Sequence, residues 1–179
     1  MLSSTRPLAA IAALVVSLAV PLVARAQSNN MSFNVAAGLS LASGTFGDRN
    51  DAGYNIAAGL GIKQPGSRLG FRAEGTYNQF NEKGTDGTSH AAGVTLNALY
   101  DLIPASSKQS NSVYAIGGIG YYNTREPFLD FDNQTNFGWN VGGGFRFPLS
   151  GFSAYVEVRY HSVSNIDATF IPITFGLVF

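Results

Sequence analysis

The last twelve residues, ATFIPITFGLVF at 168–179, constrain the fold more than any other stretch of the chain. Every second side chain there is large and apolar: Ile171, Ile173, Phe175, Leu177 and Phe179. The positions between them hold Pro, Thr, Gly and Val. Successive side chains of a strand leave opposite faces of the backbone, so this alternation predicts a β-strand with one strongly apolar face.

The first 26 residues have the three parts of a secretory signal peptide. Residues 1–6 carry one Arg, residues 8–23 are an apolar run that a late proline interrupts, and Ala24 and Ala26 form an A-x-A cleavage site. The apolar run is short for a membrane span, which needs ~20 residues. We therefore predict cleavage after Ala26 and a single exported domain at 27–179, with an uncleaved N-terminal anchor as the alternative.

The composition excludes several classes of function. Removing Arg6 and Arg25 from the 11 basic residues leaves 9 against 11 acidic, so the mature chain lacks the basic excess that a nucleic-acid partner requires. There is no Cys and there are only two His, so we predict no metal site and no cofactor. Only 12% of the residues are charged. After the signal peptide no apolar run is long enough for a transmembrane helix, so any membrane crossing must use strands.

Seven further segments show the same alternation as residues 168–179, and short turns or polar, Gly-rich loops join them. They lie at 32–42, 54–62, 69–80, 92–102, 113–123, 137–147 and 154–161. For segment 113–123 it stays open which side chains face inward, because both alternating sets of positions hold aromatic residues and glycines. The pattern predicts an all-β fold: an eight-stranded, antiparallel, up-and-down transmembrane β-barrel built from sequential hairpins.

The two faces of the predicted sheet indicate which one meets lipid. One face carries Phe, Leu, Val and Tyr, whereas the other carries Gly, Asn, Thr and Ser with a few charges. Small and polar side chains fit a narrow interior, so the bulky face is expected to contact lipid. The alternative is a soluble, secreted, lipocalin-like barrel with an apolar interior.

Together with the signal peptide, the pattern over 32–179 resembles the small eight-stranded outer-membrane barrels of the OmpA and OmpX kind. The resemblance implies a monomer in the outer membrane of a Gram-negative cell, reached through the periplasm and surrounded by lipid and lipopolysaccharide. In such barrels the assembly machinery reads a terminal aromatic residue. The resemblance therefore implies a C-terminal assembly signal at Phe175, Leu177 and Phe179.

Six charged residues fall on the predicted inner face, three basic and three acidic. They are Arg72, Glu74, Asp101, Arg146, Glu157 and Arg159. Counted from the turns, Glu74 and Glu157 lie at a similar depth, so we expect them mid-barrel between arginines, because a buried carboxylate needs a cationic partner. We interpret the set as a structural plug in a lumen without an aqueous channel. A gate or proton path is the alternative.

The segment 159–165 resembles part of the lipid A deacylase barrels, in which a His and a Ser two residues apart share one face. That geometry lets imidazole activate a hydroxyl. Here Val163 occupies the second position, and Ser164, three residues from His161, would project from the opposite face. We therefore predict no catalysis, with a lipid A-modifying enzyme around His161 and Ser164 as the alternative.

The sequence as a whole predicts a structural or surface-contact protein. Specificity is expected in the loops at 43–50, 81–89 and 124–135, because loops on a rigid scaffold carry recognition. The sequence does not identify a loop ligand. Three classes stay open: a passive membrane component or adhesin, a lipid-modifying enzyme, and a soluble barrel.

Overall fold

The structure is a computed structural model that describes residues 30–103, 111–126, 131–165 and 168–179. The predicted signal peptide, with Ala24 and Ala26, lies outside the described residues, as does most of the predicted turn after residue 103. In the part of the chain that is described, no helix has the length and apolar character needed to cross a membrane.

Eight antiparallel strands close into one barrel. Each strand pairs with the next along the chain, and β8 pairs with β1. The predicted up-and-down topology is confirmed. The strands are β1 (Met31–Ser43), β2 (Gly53–Lys63), β3 (Leu69–Asn81), β4 (Thr88–Ile103), β5 (Ser112–Glu126), β6 (Phe131–Pro148), β7 (Ser153–Val163) and β8 (Ala168–Val178).

The seam between β1 and β8 is closed by backbone hydrogen bonds up to the end of the chain. The Phe33 amide donates to the Phe179 carbonyl at 3.0 Å, and the Phe179 amide donates to the Phe33 carbonyl at 2.8 Å. An open sheet edge cannot exist in lipid, because no water is present to satisfy its backbone groups. The closing strand therefore completes the barrel as well as presenting an apolar face.

The two ends of the barrel differ. At the turn end, where β1 begins and β8 ends, tight turns join β2 to β3 and β6 to β7. They contain Gly66 and Gly151, whose positive φ angles of 78° and 88° favour glycine. At the loop end the β1–β2 connection folds into a short helix, α1 (Gly44–Arg49).

Two predicted loops contain more regular structure than expected. The loop at 43–50 holds α1, whose six residues are too few to show a helical period in the sequence. Most of the loop at 124–135 is strand, because β5 continues to Glu126 and β6 begins at Phe131, with a register irregularity after Thr124. Polar residues there extend the hydrogen-bonded ladder past the apolar part of the barrel.

The bulky face of the sheet points outward, as predicted. Val94 and Leu96 on β4 are 67% and 65% exposed, whereas Thr95 and Asn97 between them are buried inside. This contradicts the soluble, lipocalin-like alternative, whose apolar side chains would fill the interior. The facing of β5 is now settled, since Tyr114, Ile116 and Tyr122 point inward and are buried.

Candidate functional site in the barrel lumen

Four of the six predicted interior charges meet inside the barrel. Arg72 and Glu74 lie on β3, and Glu157 and Arg159 lie on β7, which is four strands away around the barrel. Within each pair the spacing of two residues places both side chains on the same face. None of the four is more than 5% exposed. We call these four residues the charged cluster.

Each arginine of the charged cluster contacts both glutamates. Arg72 Nη2 donates to Glu157 Oε1 at 2.8 Å and Oε2 at 2.7 Å, while Arg72 Nε lies 3.3 Å from Glu74 Oε2. Arg159 donates to Glu74 through Nη2, and its Nε lies 2.9 Å from Glu157 Oε1. The four side chains form a closed, electrically neutral ring. Pairing of this kind offsets the large cost of burying each charge alone.

Neutral polar side chains from two further strands support the charged cluster. The Tyr114 hydroxyl on β5 donates to Glu157 Oε2 at 2.7 Å. Asn34 Nδ2 on β1 lies 3.4 Å from both Glu74 Oε2 and the Tyr155 hydroxyl. The Arg72 guanidinium lies 5.7 Å from the centre of the Tyr155 ring. Side chains from β1, β3, β5 and β7 thus meet across the lumen.

The other two predicted charges, Asp101 and Arg146, lie outside the charged cluster. Asp101 forms an ion pair with Lys63, the last residue of β2. The Arg146 guanidinium lies 5.1 Å from the centre of the Tyr114 ring. Both line a cavity of about 480 Å³ at the turn end of the lumen.

Glycines make room for the interior tyrosines. A Cβ on Gly144 would lie 2.4 Å from the Tyr114 ring, and one on Gly176 would lie 2.3 Å from the Tyr155 ring. Real Cβ atoms essentially never approach other atoms this closely. Gly144 and Gly176 therefore leave the space that these two tyrosine rings occupy.

The loop half of the lumen is filled by aromatic rings. Phe46 of α1 packs edge-on against Phe80 with centroids 5.0 Å apart, and Phe80 packs against Phe170 at 5.7 Å. His161 stacks on Phe170 at 4.9 Å, and a 2.9 Å hydrogen bond joins His161 Nδ1 and the Tyr122 hydroxyl. We call these five residues the aromatic cluster. The sequence had suggested an inner face of small and polar side chains. In the structure, the loop half of that face instead carries large aromatic rings.

The structure does not bring His161 and Ser164 together. His161 is 0% exposed inside the aromatic cluster, whereas Ser164 is exposed in the turn after β7. The Ser164 amide donates to the Phe137 carbonyl at 2.9 Å. In the described ranges of the chain, no group of three His, Cys, Asp or Glu side chains could hold a metal ion.

Sequence reasoning missed Tyr114 and Tyr122, because it left the facing of β5 open. A signal was present in the neighbouring strand. Three glycines of β6 face inward: Gly138, Gly142 and Gly144. Gly144 leaves space for Tyr114, and Gly138 leaves space for Tyr122, since a Cβ on Gly138 would lie 2.8 Å from that ring. Glycines on one inner face thus predict large side chains on the adjacent strand.

A family model described as "Outer membrane protein beta-barrel domain" matches residues 10–179. Among solved structures, Neisserial surface protein A aligns with a TM-score of 0.59 and 14% identity, over 83% of this chain and 95% of that chain. The N-terminal β-barrel domain of Pseudomonas aeruginosa OprF aligns with a TM-score of 0.53 and 16% identity, over 84% and 98%. Comparison with curated proteins finds no match. At these identities the structural likeness shows the fold alone.

Proposed function

This chain belongs to the outer-membrane protein β-barrel family, and we propose that it is a non-catalytic barrel with a structural or surface-contact role and a blocked lumen. Membership of the family places it in the outer membrane. We further propose that it reaches that membrane through the periplasm after signal-peptide cleavage.

The observation that carries the proposal of a blocked lumen is the charged cluster. Its side chains come from opposite sides of the barrel and contact one another directly, with Arg72 joined to Glu157 at 2.7 Å. The aromatic cluster lies between this layer and the loop end. An eight-stranded barrel leaves an interior that side chains can fill, and here two unlike layers contribute.

Recordings in planar lipid bilayers test the blocked lumen. We expect no large, stable conductance steps from the purified barrel under conditions in which a water-filled porin gives them. Large and stable steps from correctly folded protein would show a continuous aqueous path and contradict the proposal.

The loop end supports a surface-contact role because two of its connections form one braced surface. Lys83 Nζ donates to the Gly47 carbonyl of α1 at 2.7 Å, and the Lys83 amide donates to the Arg49 carbonyl at 2.8 Å. The Asp51 amide donates to the Asn81 carbonyl at 2.8 Å. Recognition surfaces are commonly loops that a rigid scaffold positions.

Labelling in intact cells tests which end faces outward. The chain has no cysteine, so single variants Lys83→Cys at the loop end and Gln64→Cys at the turn end each introduce one reactive thiol. Short turns face the periplasm in bacterial barrels. We therefore expect an impermeant maleimide to label Lys83→Cys in intact cells and Gln64→Cys only after permeabilisation. The reverse pattern would contradict the proposed orientation.

The absence of catalysis is supported by the position of His161. Its imidazole is enclosed by Phe170 and Tyr122, whereas lipid contacts the outside of the barrel. We expect the purified protein to leave lipid A acyl chains intact, and a His161→Ala variant to behave identically. Deacylation that His161→Ala abolishes would establish the enzyme alternative.

We also propose that β8 carries the signal for the barrel-assembly machinery. Phe175 and Phe179 are exposed on the outside of the barrel, and Leu177 shares their face. We expect Phe179→Ala to reduce the fraction of folded barrel in the outer membrane, measured by the gel shift between heated and unheated samples. An unchanged folded fraction would contradict this role.

A further inference from the structure

The turn end of the lumen holds a cavity of about 480 Å³ that borders the charged cluster at Arg72. Arg72 of that cluster lines it, together with residues of the β2–β3 turn and the inward face of β6. Neither the family nor the proposed structural role assigns any ligand to this space.

The charges around the cavity are unbalanced. The arginines and glutamates of the charged cluster cancel, so they contribute no net charge. Beyond them, the described residues that line the cavity include three cations, Lys63, Arg68 and Arg146, and one carboxylate, Asp101. Asp101 is already engaged by Lys63. The two arginines are therefore left in excess.

Arg146 is held in place without a carboxylate partner. Its guanidinium lies 5.1 Å from the centre of the Tyr114 ring, and its Nε is buried without a hydrogen-bond acceptor in the structure. Among the described residues, no carboxylate lies within ion-pair distance of Arg146 or Arg68. A planar guanidinium matches the two oxygens of a phosphate or carboxylate group.

We propose that this cavity is a binding site for an oxyanion, either a phosphate or a carboxylate group, with Arg146 as its main ligand and Arg68 as a second cation at the rim. A low-dielectric pocket strengthens such charge pairing relative to bulk water. The site opens at the turn end, so its ligand comes from the compartment that this end faces. Oxyanion binding in this cavity requires neither a blocked nor a conducting lumen.

Calorimetric titration of the full barrel in detergent micelles tests the site. Inorganic phosphate and N-acetylglutamate are the two probes, each added at constant ionic strength balanced with chloride. We expect saturable binding of at least one probe. Phosphate binding alone would identify a phosphate-bearing ligand, and binding of N-acetylglutamate alone would identify a carboxylate-bearing one. Binding of both would assign the site to oxyanions in general.

Variants locate the binding in the cavity. Arg146→Gln should weaken binding by about tenfold or more, because it removes a charge-assisted hydrogen-bond donor. Arg68→Gln should weaken it less, and this exposed turn residue provides a test if Arg146→Gln fails to fold. Arg125→Gln, at an exposed arginine near the loop end, should leave the affinity unchanged.

Three results would overturn the proposal. The first is that neither probe binds the wild-type barrel saturably. The second is that folded Arg146→Gln, or Arg68→Gln if Arg146→Gln does not fold, binds as tightly as wild type. The third is that Arg125→Gln weakens binding as much as Arg146→Gln does. The last result would indicate general attraction to the protein's positive charges rather than a site.

Discussion

The two halves of the lumen are filled by opposite kinds of chemistry. Towards the turn end, the charged cluster is held by ion pairs such as Arg72–Glu157 at 2.7 Å. Towards the loop end, the aromatic cluster is held by ring packing such as Phe46–Phe80 at 5.0 Å. Yet both halves use a tyrosine of β5 as a hydrogen-bonding partner: Tyr114 towards the turn end and Tyr122 towards the loop end.

The difference shows what each kind of filling demands. Buried charges are stable only as a complete set, because removal of one member leaves its partner unpaired in a low-dielectric interior. Packed rings tolerate the loss of one polar contact better, because most of their contribution is burial and shape. The charged half should therefore be the more sensitive of the two to a single isosteric substitution.

The largest effect is expected from Glu157→Gln, which leaves Arg72 and Arg159 without half of their compensating charge. Breaking a buried pair typically costs about 3–5 kcal/mol, so the free energy of unfolding should fall by that order. Urea unfolding in lipid vesicles can be followed by Trp139, the single tryptophan, which faces outward. The matched control is Asp51→Asn. Asp51 forms an exposed ion pair with Lys83, with Oδ1 and Nζ 3.9 Å apart, so the free energy of unfolding should change by about 1 kcal/mol or less. Equal unfolding midpoints for Glu157→Gln and wild type would refute the paired interior.

A sharper comparison makes one chemical change in both halves. Tyr114→Phe removes a hydroxyl that donates to a carboxylate. Tyr122→Phe removes one that is hydrogen-bonded to a ring nitrogen of His161, which has no carboxylate within ion-pair distance among the described residues. Hydrogen bonds to charged groups contribute about 1.5–3 kcal/mol, and neutral ones about 0.5–1.5 kcal/mol. We expect Tyr114→Phe to lower the free energy of unfolding more than Tyr122→Phe in the same urea assay. A larger loss for Tyr122→Phe would reverse the comparison between the halves.

Glycine at position 144 leaves the space that the Tyr114 ring occupies. Gly144→Ala would place a Cβ against that ring, and overpacking of this kind typically costs about 1–3 kcal/mol. Gly75→Ala is the matched control, because its Cβ would face outward and meet no atom closer than 4.0 Å. Stability should fall for Gly144→Ala and stay near wild type for Gly75→Ala. Equal stabilities of the two variants would show that Tyr114 can move without cost.

Much of the fold was predictable because alternation is a local property. Each strand shows in its own sequence which side chains share a face, and this is why the outward facing of Val94 and Leu96 was predicted correctly. The exception was β5, where both parities carry aromatic residues. Its facing is decided by pairing with β4, which sets Gly120 opposite the inward Thr95.

The sequence by itself determined the number of strands, their order, and the outward facing of the bulky side chains. Only the tertiary structure decided which of the predicted interior charges meet. Arg72 and Glu157 are 85 residues apart in the chain, and their contact depends on how strands four positions apart stagger around a closed barrel. For the same reason Asp101 pairs with Lys63 and Arg146 stacks on Tyr114, since register across several strand pairs cannot be read from any one of them.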